Sequence, residues 1–195
     1  MKGKGGLIKG IIVGVVLIGL VGGYYYYLTN RTPDKSREEK DVKATAVQEA
    51  LMRDLDKNYP PTPREVVKYF GQLSQCLIGE TYTDGEFEEL ALQAQRLYDA
   101  ELVANKTQQQ YLEDLKWDIN NFKDQEIVIS SYTPASSVDV EEFSRDGYKW
   151  AKLYCNFSLR KGTYIETNEE VFLLRRDEDG HWKIYGWQPV EQIEN

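Results

Sequence analysis

The sequence predicts an α+β fold in which helices come first and an antiparallel meander sheet follows. Up to Asp124, apolar residues recur at the helical period of about 3.6, and beyond it they alternate with polar residues at a period of two. Short glycine-containing turns join the alternating segments, so neighbouring strands must run antiparallel. We therefore expect about four helices packed on one face of a curved antiparallel meander sheet, within residues 36–195.

The first 28 residues differ from the rest of the chain in charge and hydropathy. They hold three of the 24 basic residues and none of the 32 acidic residues, so residues 29–195 carry a net charge of −11. From Gly10 to Leu28 run 19 residues without a charge, and about 20 apolar residues suit the roughly 30 Å hydrocarbon core of a bilayer. The tyrosines at 24–27 are typical of an aromatic belt. These features predict a transmembrane helix at 10–28 rather than a cleaved signal peptide, whose apolar region is shorter.

The flanking charges predict the orientation of this span. Three lysines and the amino terminus precede it, and Arg31 and Lys35 follow it. This difference favours a cytoplasmic basic tail at residues 1–9, a linker at 29–35 and an extracytoplasmic domain at 36–195. The predicted location is the cell membrane, with a single pass and the lipid bilayer as a partner. Because the domain is acidic, nucleic acid is not expected as a partner.

Capping signals predict where the four helices begin and end. A serine or threonine that is followed three residues later by glutamate or glutamine fits a capping box, and a proline pair stops a helix. The predicted starts are Ser36, Thr62, Thr83 or Asp84, and Thr107. The first helix is expected to run through Leu55 to Tyr59, and the third to continue without interruption to Asn105.

Five strands are predicted after the helices. Their ranges are Glu126–Tyr132, Val138–Phe143, Tyr148–Arg160, Thr163–Arg176 and His181–Gln188. The long third strand alternates cleanly, so its side chains divide between two sheet faces. One face carries Ala151, Leu153, Cys155, Phe157 and Leu159, and the other carries Tyr148, Trp150, Lys152, Tyr154 and Asn156.

The only histidine in the chain, His181, stands next to three carboxylates in the segment Asp177–Gly180. An EF-hand loop aligned on this segment would lack two essential ligands. A general base needs a partner and a secluded pocket, and a charged turn supplies neither. We therefore predict a hairpin turn without metal or catalysis, in which Arg175 or Arg176 lies opposite Trp182.

The last hairpin, FLLRRDEDGHWKIYGW, follows several helices and a long strand and resembles the end of NTF2-like domains. These are cone-shaped α+β folds whose sheet wraps around a helix, and the resemblance covers roughly residues 125–188. It implies a cone that dimerises through its open sheet face or holds a ligand inside. The whole chain, with its apolar span and its YPPTPREV and DEDGHWKIYGW segments, also resembles an uncharacterised family of single-span proteins from Gram-positive bacteria. That second resemblance implies no activity.

Trp150, Tyr154 and Trp187 are the candidate interface or pocket residues. Tryptophan and tyrosine on partly polar surfaces are typical interface anchors, although these side chains fit a covered or inward position equally well. The predicted function is an extracytoplasmic interaction or assembly domain, which pairs with a second copy or another protein through the sheet face. The alternative is a small-molecule pocket, because aromatic side chains with few titratable groups suit binding more than proton transfer.

An enzyme is the least favoured of the three classes. The chain contains no phosphate-binding loop, dinucleotide fingerprint, nucleophile elbow, zinc-protease motif or CxxC pair. We therefore predict no catalytic residue, no cofactor and no metal. Cys76 and Cys155 both fall near apolar faces, where free buried thiols are the preferred interpretation and a bridge between the second helix and the long strand is the alternative.

Overall fold

The computed structural model describes residues 44–190 of the chain. Within this range the helices are α1 Ala46–Leu51, α2 Pro63–Gly79, α3 Asp84–Gln95, α4 Ala100–Ala104 and α5 Gln108–Asp124. The strands are β1 Ile127–Pro134, β2 Glu141–Arg145, β3 Tyr148–Lys161, β4 Tyr164–Arg176 and β5 Trp182–Pro189, and a short 3-10 turn at Ser137–Asp139 separates β1 from β2. Helices followed by strands confirm the predicted α+β organisation.

The five strands form one antiparallel sheet in the order β1-β3-β4-β5. β2 also pairs with β3, on the edge that β1 uses. β1 pairs with residues 155–161 of β3 and β2 with residues 148–152, so the two strands lie end to end along the long strand. Strands β2 to β5 thus form the predicted antiparallel meander, whereas β1 pairs with β3 and not with its neighbour in sequence, β2.

The core lies between the helices and one face of the sheet. We call this the inner face; it carries Ala151, Leu153, Cys155, Phe172 and Leu174, all fully buried. Helix α2 contributes Val66, Val67 and Leu73 to this core, and all three are 0% exposed. The opposite, outer face carries Trp150, Lys152, Tyr154, Val171 and Leu173, as the cross-strand register shows.

The predicted helix starts after residue 44 are confirmed. Thr62, Thr83 and Thr107 are the N-caps of α2, α3 and α5, and each hydroxyl accepts a hydrogen bond from the amide three residues on. The side-chain oxygens of Glu86 and Gln110 accept a hydrogen bond from the cap amide in turn, which completes two capping boxes. These local bonds satisfy amides that the first turn of a helix otherwise leaves free.

Two predicted helices are shorter than expected. The predicted cap at Ser36 lies outside the described residues, and within them the first helix begins after the Thr45 cap and ends at Leu51. Leu55 is buried in a turn beyond that helix, where it still reaches the core.

The third predicted helix is interrupted between α3 and α4. The amide of Asp99 donates to the carbonyl of Ile184 and the amide of Ile184 donates to the carbonyl of Leu97, both at 2.8 Å. The Asp99 amide and the Leu97 carbonyl therefore bond to β5 instead of continuing the helix. Asp99 then caps α4 by accepting the Glu101 amide.

The prediction of a membrane-spanning helix requires correction. None of the helices that the structure describes between residues 44 and 190 has the length and apolar character needed to cross a membrane. The longest, α2 and α5, have 17 residues each, and their polar residues leave only one apolar stripe. The predicted span at 10–28, the tail at 1–9 and the linker at 29–35 lie outside the described residues. The fold supported here is an α+β domain with a five-stranded antiparallel sheet.

Candidate functional site

The three candidate residues do not share one surface. Trp150 and Tyr154 lie on the outer face of β3, where they pair across the sheet with Arg175 and Val171. Trp187 pairs with Phe172, which belongs to the inner face. The structure therefore brings Trp150 and Tyr154 to one face and places Trp187 among the helices.

A bulge in β5 explains the position of Trp187. Leu174 pairs with Ile184 and Leu173 with Gly186, so Tyr185 is an extra residue without a cross-strand partner. One extra residue inverts the alternation of side chains beyond it. Trp187 thus turns towards the helices, with its ring centroid 5.2 Å from that of Phe70 and 5.6 Å from that of Tyr98, while 40% of the residue stays exposed.

Trp150 is held inside an aromatic cluster on the outer face. Its ring stacks on Phe143 at 6.5 Å and meets Tyr185 edge-on at 5.0 Å between centroids. Its indole N–H donates to the carbonyl of Arg145 at 3.1 Å. Only 9% of Trp150 is exposed, so this side chain stabilises the domain and offers little surface to a partner.

Arg175 lies at the centre of this cluster. Its guanidinium carbon lies 4.7, 5.6 and 5.1 Å from the ring centroids of Tyr148, Trp150 and Tyr185. Rings at this range attract a cation through their electron-rich faces. The side chain of Arg175 is 13% exposed, and the neighbouring carboxylates raise the pKa of its guanidinium.

Two acids complete the cluster from the helical side. Asp99 accepts from Nε and Nη2 of Arg175 at 2.9 and 2.6 Å, and Glu101 accepts from Nη1 at 2.7 Å. The hydroxyl of Tyr185 also donates to Glu101, and these bonds lower the pKa of the Glu101 carboxyl. The sequence places both acids on a helix and does not predict that they meet.

The rest of the outer face is only partly covered. Tyr154, Val171 and Leu173 are half-buried neighbours on β3 and β4. The ammonium of Lys152 lies 5.3 Å from the Tyr154 ring, and the exposed Glu169 stands two register positions beyond Val171 on the same strand. Tyr154, Val171 and Lys152 border a shallow depression together with Gln188, Pro189 and Val190.

A more enclosed pocket opens where α3, α4 and α5 meet the end of β5. Its volume is about 320 Å³. The rings of Tyr98, Tyr111 and Trp187 form much of its wall, together with Leu102 and Leu115. Burial raises the pKa of Tyr111 to about 12, and burial and the adjacent Tyr111 hydroxyl raise the pKa of Tyr98 well above its ordinary value. Both tyrosines are therefore neutral hydrogen-bonding groups at physiological pH.

The pocket has acidic side chains at its rim. Asp114 and Asp118 lie one helical turn apart on α5, and the Lys106 ammonium is 2.5 Å from the Asp114 carboxylate. A pocket of a few hundred Å³ with aromatic walls and a few polar groups has the composition of a small-molecule site. Of the three candidate residues that the sequence predicted, Trp187 lines this pocket, and the other two do not.

The turn at 177–181 brings together three groups able to bind a metal. Single ligand atoms of Asp177, Asp179 and His181 lie within 4.8 Å of one another. However, the Asp177 carboxylate accepts the His181 amide at 2.7 Å and has the Lys183 ammonium 4.0 Å away. The His181 ring packs against the Tyr59 ring at 4.3 Å between centroids, with the ring planes tilted by 30°. These contacts hold the hairpin turn together, and they account for the proximity of the three groups without a metal ion.

The predicted pairing at this hairpin is confirmed for Arg176. It lies opposite Trp182 in the register, with its guanidinium carbon 5.9 Å from the ring centroid. Arg176 also donates from Nε to the carbonyl of Gly180 at 2.9 Å, and Gly180 has a φ of 84°. The positive φ is the reason that a glycine stands in this turn.

Cys76 and Cys155 are free and buried, as the preferred interpretation of the sequence had them. Burial raises the pKa of the Cys76 thiol to about 11 and that of Cys155 to about 12. Because the thiolate is the reactive form, neither cysteine has the environment of a nucleophile.

Comparison with known proteins gives a family for the chain but no activity. No curated protein matches it. The family described as "Domain of unknown function (DUF6715)" matches residues 1–187, which is nearly the whole chain, and the protein therefore belongs to this family.

Proposed function

We propose that this protein is an interaction domain that pairs with a second copy of itself through the outer face of its sheet. The supporting observation is a row of three half-buried residues, Tyr154, Val171 and Leu173, on the outer face of the sheet. The core packs against the other face and does not cover them. An apolar strip of this kind on an otherwise charged surface is a common feature of protein interfaces.

Charge placement favours a second copy over an unrelated partner. Lys152 lies at one end of the strip and Glu169 at the other, with the Tyr154–Val171 pair between them. Within its own chain the Lys152 ammonium is 3.5 Å from the Glu141 carboxylate. A two-fold axis through that central pair would bring Lys152 of one copy towards Glu169 of the other. Two-fold interfaces use the same patch on both subunits and therefore need such self-complementarity.

Other features of the chain support binding over catalysis. The single histidine is engaged in a hairpin turn and both thiols are buried, so the common nucleophile–base pairs find no support. The net charge of −8 opposes association with nucleic acid. The resemblance to NTF2-like domains stays a prediction, and it agrees with pairing through an open sheet face.

Sedimentation velocity of the full chain tests the proposal. Val171→Glu introduces a charge at the centre of the strip and should convert the dimer to monomer. Trp117→Glu is the matched control, because Trp117 is 67% exposed and lies on helix α5, not on the outer face of the sheet. This control should leave the dimer intact.

A charge-reversal pair makes the test specific for the two-fold arrangement. Lys152→Glu alone should weaken association, and adding Glu169→Lys should restore it, since the two positions would face each other across the axis. A monomeric parent chain, or a dimer that Val171→Glu leaves unchanged, would contradict the proposal.

A further inference from the structure

The pocket between α3, α4, α5 and β5 has walls whose chemistry favours one class of ligand. Tyr98 and Tyr111 meet edge to face at 88° with centroids 6.0 Å apart, and Trp187 lies at 36° to Tyr98. Rings set at such different angles line a concave site from several sides. Their faces carry negative partial charge, which attracts cations and disfavours anions.

The rim adds a net negative charge to these walls, because two carboxylates and only one ammonium, that of Lys106, line the pocket. Asp114 and Asp118 are four residues apart on α5, so both carboxylates lie along the same side of the helix and border the pocket. The Asp114 carboxylate already forms an ion pair with the Lys106 ammonium of the same chain. Asp118 has no ion-pair partner among residues 44–190 and leaves one carboxylate open to a ligand.

The size and surroundings of the pocket further limit the kinds of ligand that it can bind. A volume of about 320 Å³ is at the lower end of the range for ligand pockets. The overall charge of −8 raises the local concentration of cations and lowers that of anions. The Tyr111 hydroxyl already donates to the carbonyl of Ala91 at 3.0 Å, so the amides of Gln95 and Asn105 are the neutral groups that can hydrogen-bond a ligand without changing this preference.

We propose that this pocket is a binding site for a small organic cation, an alkyl- or arylammonium ion whose charged group lies near Asp118 and whose apolar part packs on Tyr98, Tyr111 and Trp187. The site is separate from the outer face of the sheet. It therefore stands or falls independently of the proposed self-association.

The direct test is isothermal titration calorimetry of the full chain with benzyltrimethylammonium chloride at low salt. We expect saturable binding of one cation per chain that weakens as salt is added, because screening reduces the carboxylate's contribution. Phenylacetate, an anion of similar size, should show no binding. Tryptophan fluorescence gives a second readout of the same titration, because Trp187 is part of the wall.

Two variants locate the site. Asp118→Asn should weaken binding about fivefold to tenfold, and Trp187→Leu should do so by a similar factor. Asp124→Asn is the matched control, since Asp124 ends the same helix outside the pocket. Asp118 is exposed, so its substitution leaves the fold intact, and a melting curve checks Trp187→Leu.

Several outcomes would overturn the proposal. These are the absence of saturable binding in both readouts, equal binding of phenylacetate and the cation, or unchanged affinity in both pocket variants. Val171→Glu shows whether the two proposals are independent. If they are, this variant should bind the cation as tightly as the parent chain even when it is monomeric.

Discussion

Arg175 and Asp99, 76 positions apart in the sequence, form a two-pronged ion pair in which Nε and Nη2 of the arginine donate to the two carboxylate oxygens. The Asp99 side chain is 4% exposed and that of Arg175 is 13% exposed. Paired bonds between two planar groups fix both orientation and distance. This pair ties the junction of α3 and α4 to the outer face of the sheet.

Removing the arginine should destabilise the protein strongly. Arg175→Met leaves the buried Asp99 charge without its partner, and this type of change costs about 3 kcal/mol. The free energy of unfolding, measured by urea denaturation, gives the cost. Arg176→Met, the exposed neighbour on the same strand, is the control and should cost much less.

A double-mutant cycle separates the ion pair from the capping role of Asp99. Asp99→Asn keeps an oxygen for the Glu101 amide and removes the charge. If the ion pair is the main contribution of both residues to stability, the changes in the free energy of unfolding caused by Asp99→Asn and Arg175→Met will be far from additive. Additive effects would contradict this account of the cluster.

Close packing of α2 on β1 depends on Gly71. A methyl group at this position would lie 2.5 Å from Cδ2 of Tyr132, which is too near for a carbon–carbon contact. Gly71→Ala should therefore destabilise the protein by about 1–3 kcal/mol, although alanine favours a helix. Thermal and urea unfolding provide the measurement.

The last residue of the same helix, Gly79, offers a matched control. A methyl group there would have its nearest neighbours at 3.8 Å, an ordinary contact distance. Gly79→Ala should be neutral or slightly stabilising. In the Gly71→Ala background, Tyr132→Leu should recover part of the loss; a Gly71→Ala protein as stable as the parent would refute the predicted clash.

Glu170 should make stability depend on pH in the direction opposite to that of most acids. Burial raises the pKa of this half-buried carboxyl above its ordinary value. The folded state therefore binds the proton more tightly than the unfolded state. Its contribution to stability is fully present below the unfolded pKa of about 4.3 and is lost as pH rises through the raised folded pKa.

Glu170→Gln removes the charged form and should stabilise the protein at pH 7 relative to the parent chain. At pH values below about 4, where the parent carboxyl is protonated, the difference should be much smaller. Urea denaturation at both pH values measures it. Glu166→Gln, an exposed position on the same strand, is the control, and an equal response of both variants would count against the burial of Glu170 as the cause.

The two cysteines should react only after unfolding. Both are buried, and their thiol pKa values of about 11 and about 12 keep the thiolate fraction small at pH 7.5. We expect no rapid alkylation of the native protein and two added labels after denaturation without reductant. A denatured, unreduced chain that takes up no label would reveal a disulfide between Cys76 and Cys155.

Local sequence alone determined three of the five described helix starts and the hairpins. The caps at Thr62, Thr83 and Thr107 use bonds to amides three residues away, and Gly180 meets the φ of its own turn. Such signals involve neighbours in the chain, so the sequence is sufficient to predict them. The alternation of β3 likewise predicted the inner-face residues correctly.

The tertiary structure decided the features that depend on distant partners. The break at residues 96–99 exists because β5 offers its free edge to Leu97 and Asp99, which no helical pattern reveals. The inward position of Trp187 follows from one extra residue at Tyr185, and the cluster around Arg175 follows from both features. Hydrogen bonds and register shifts between elements far apart in sequence carry no local signature, and for this reason the pocket and the buried ion pair emerged only from the folded chain.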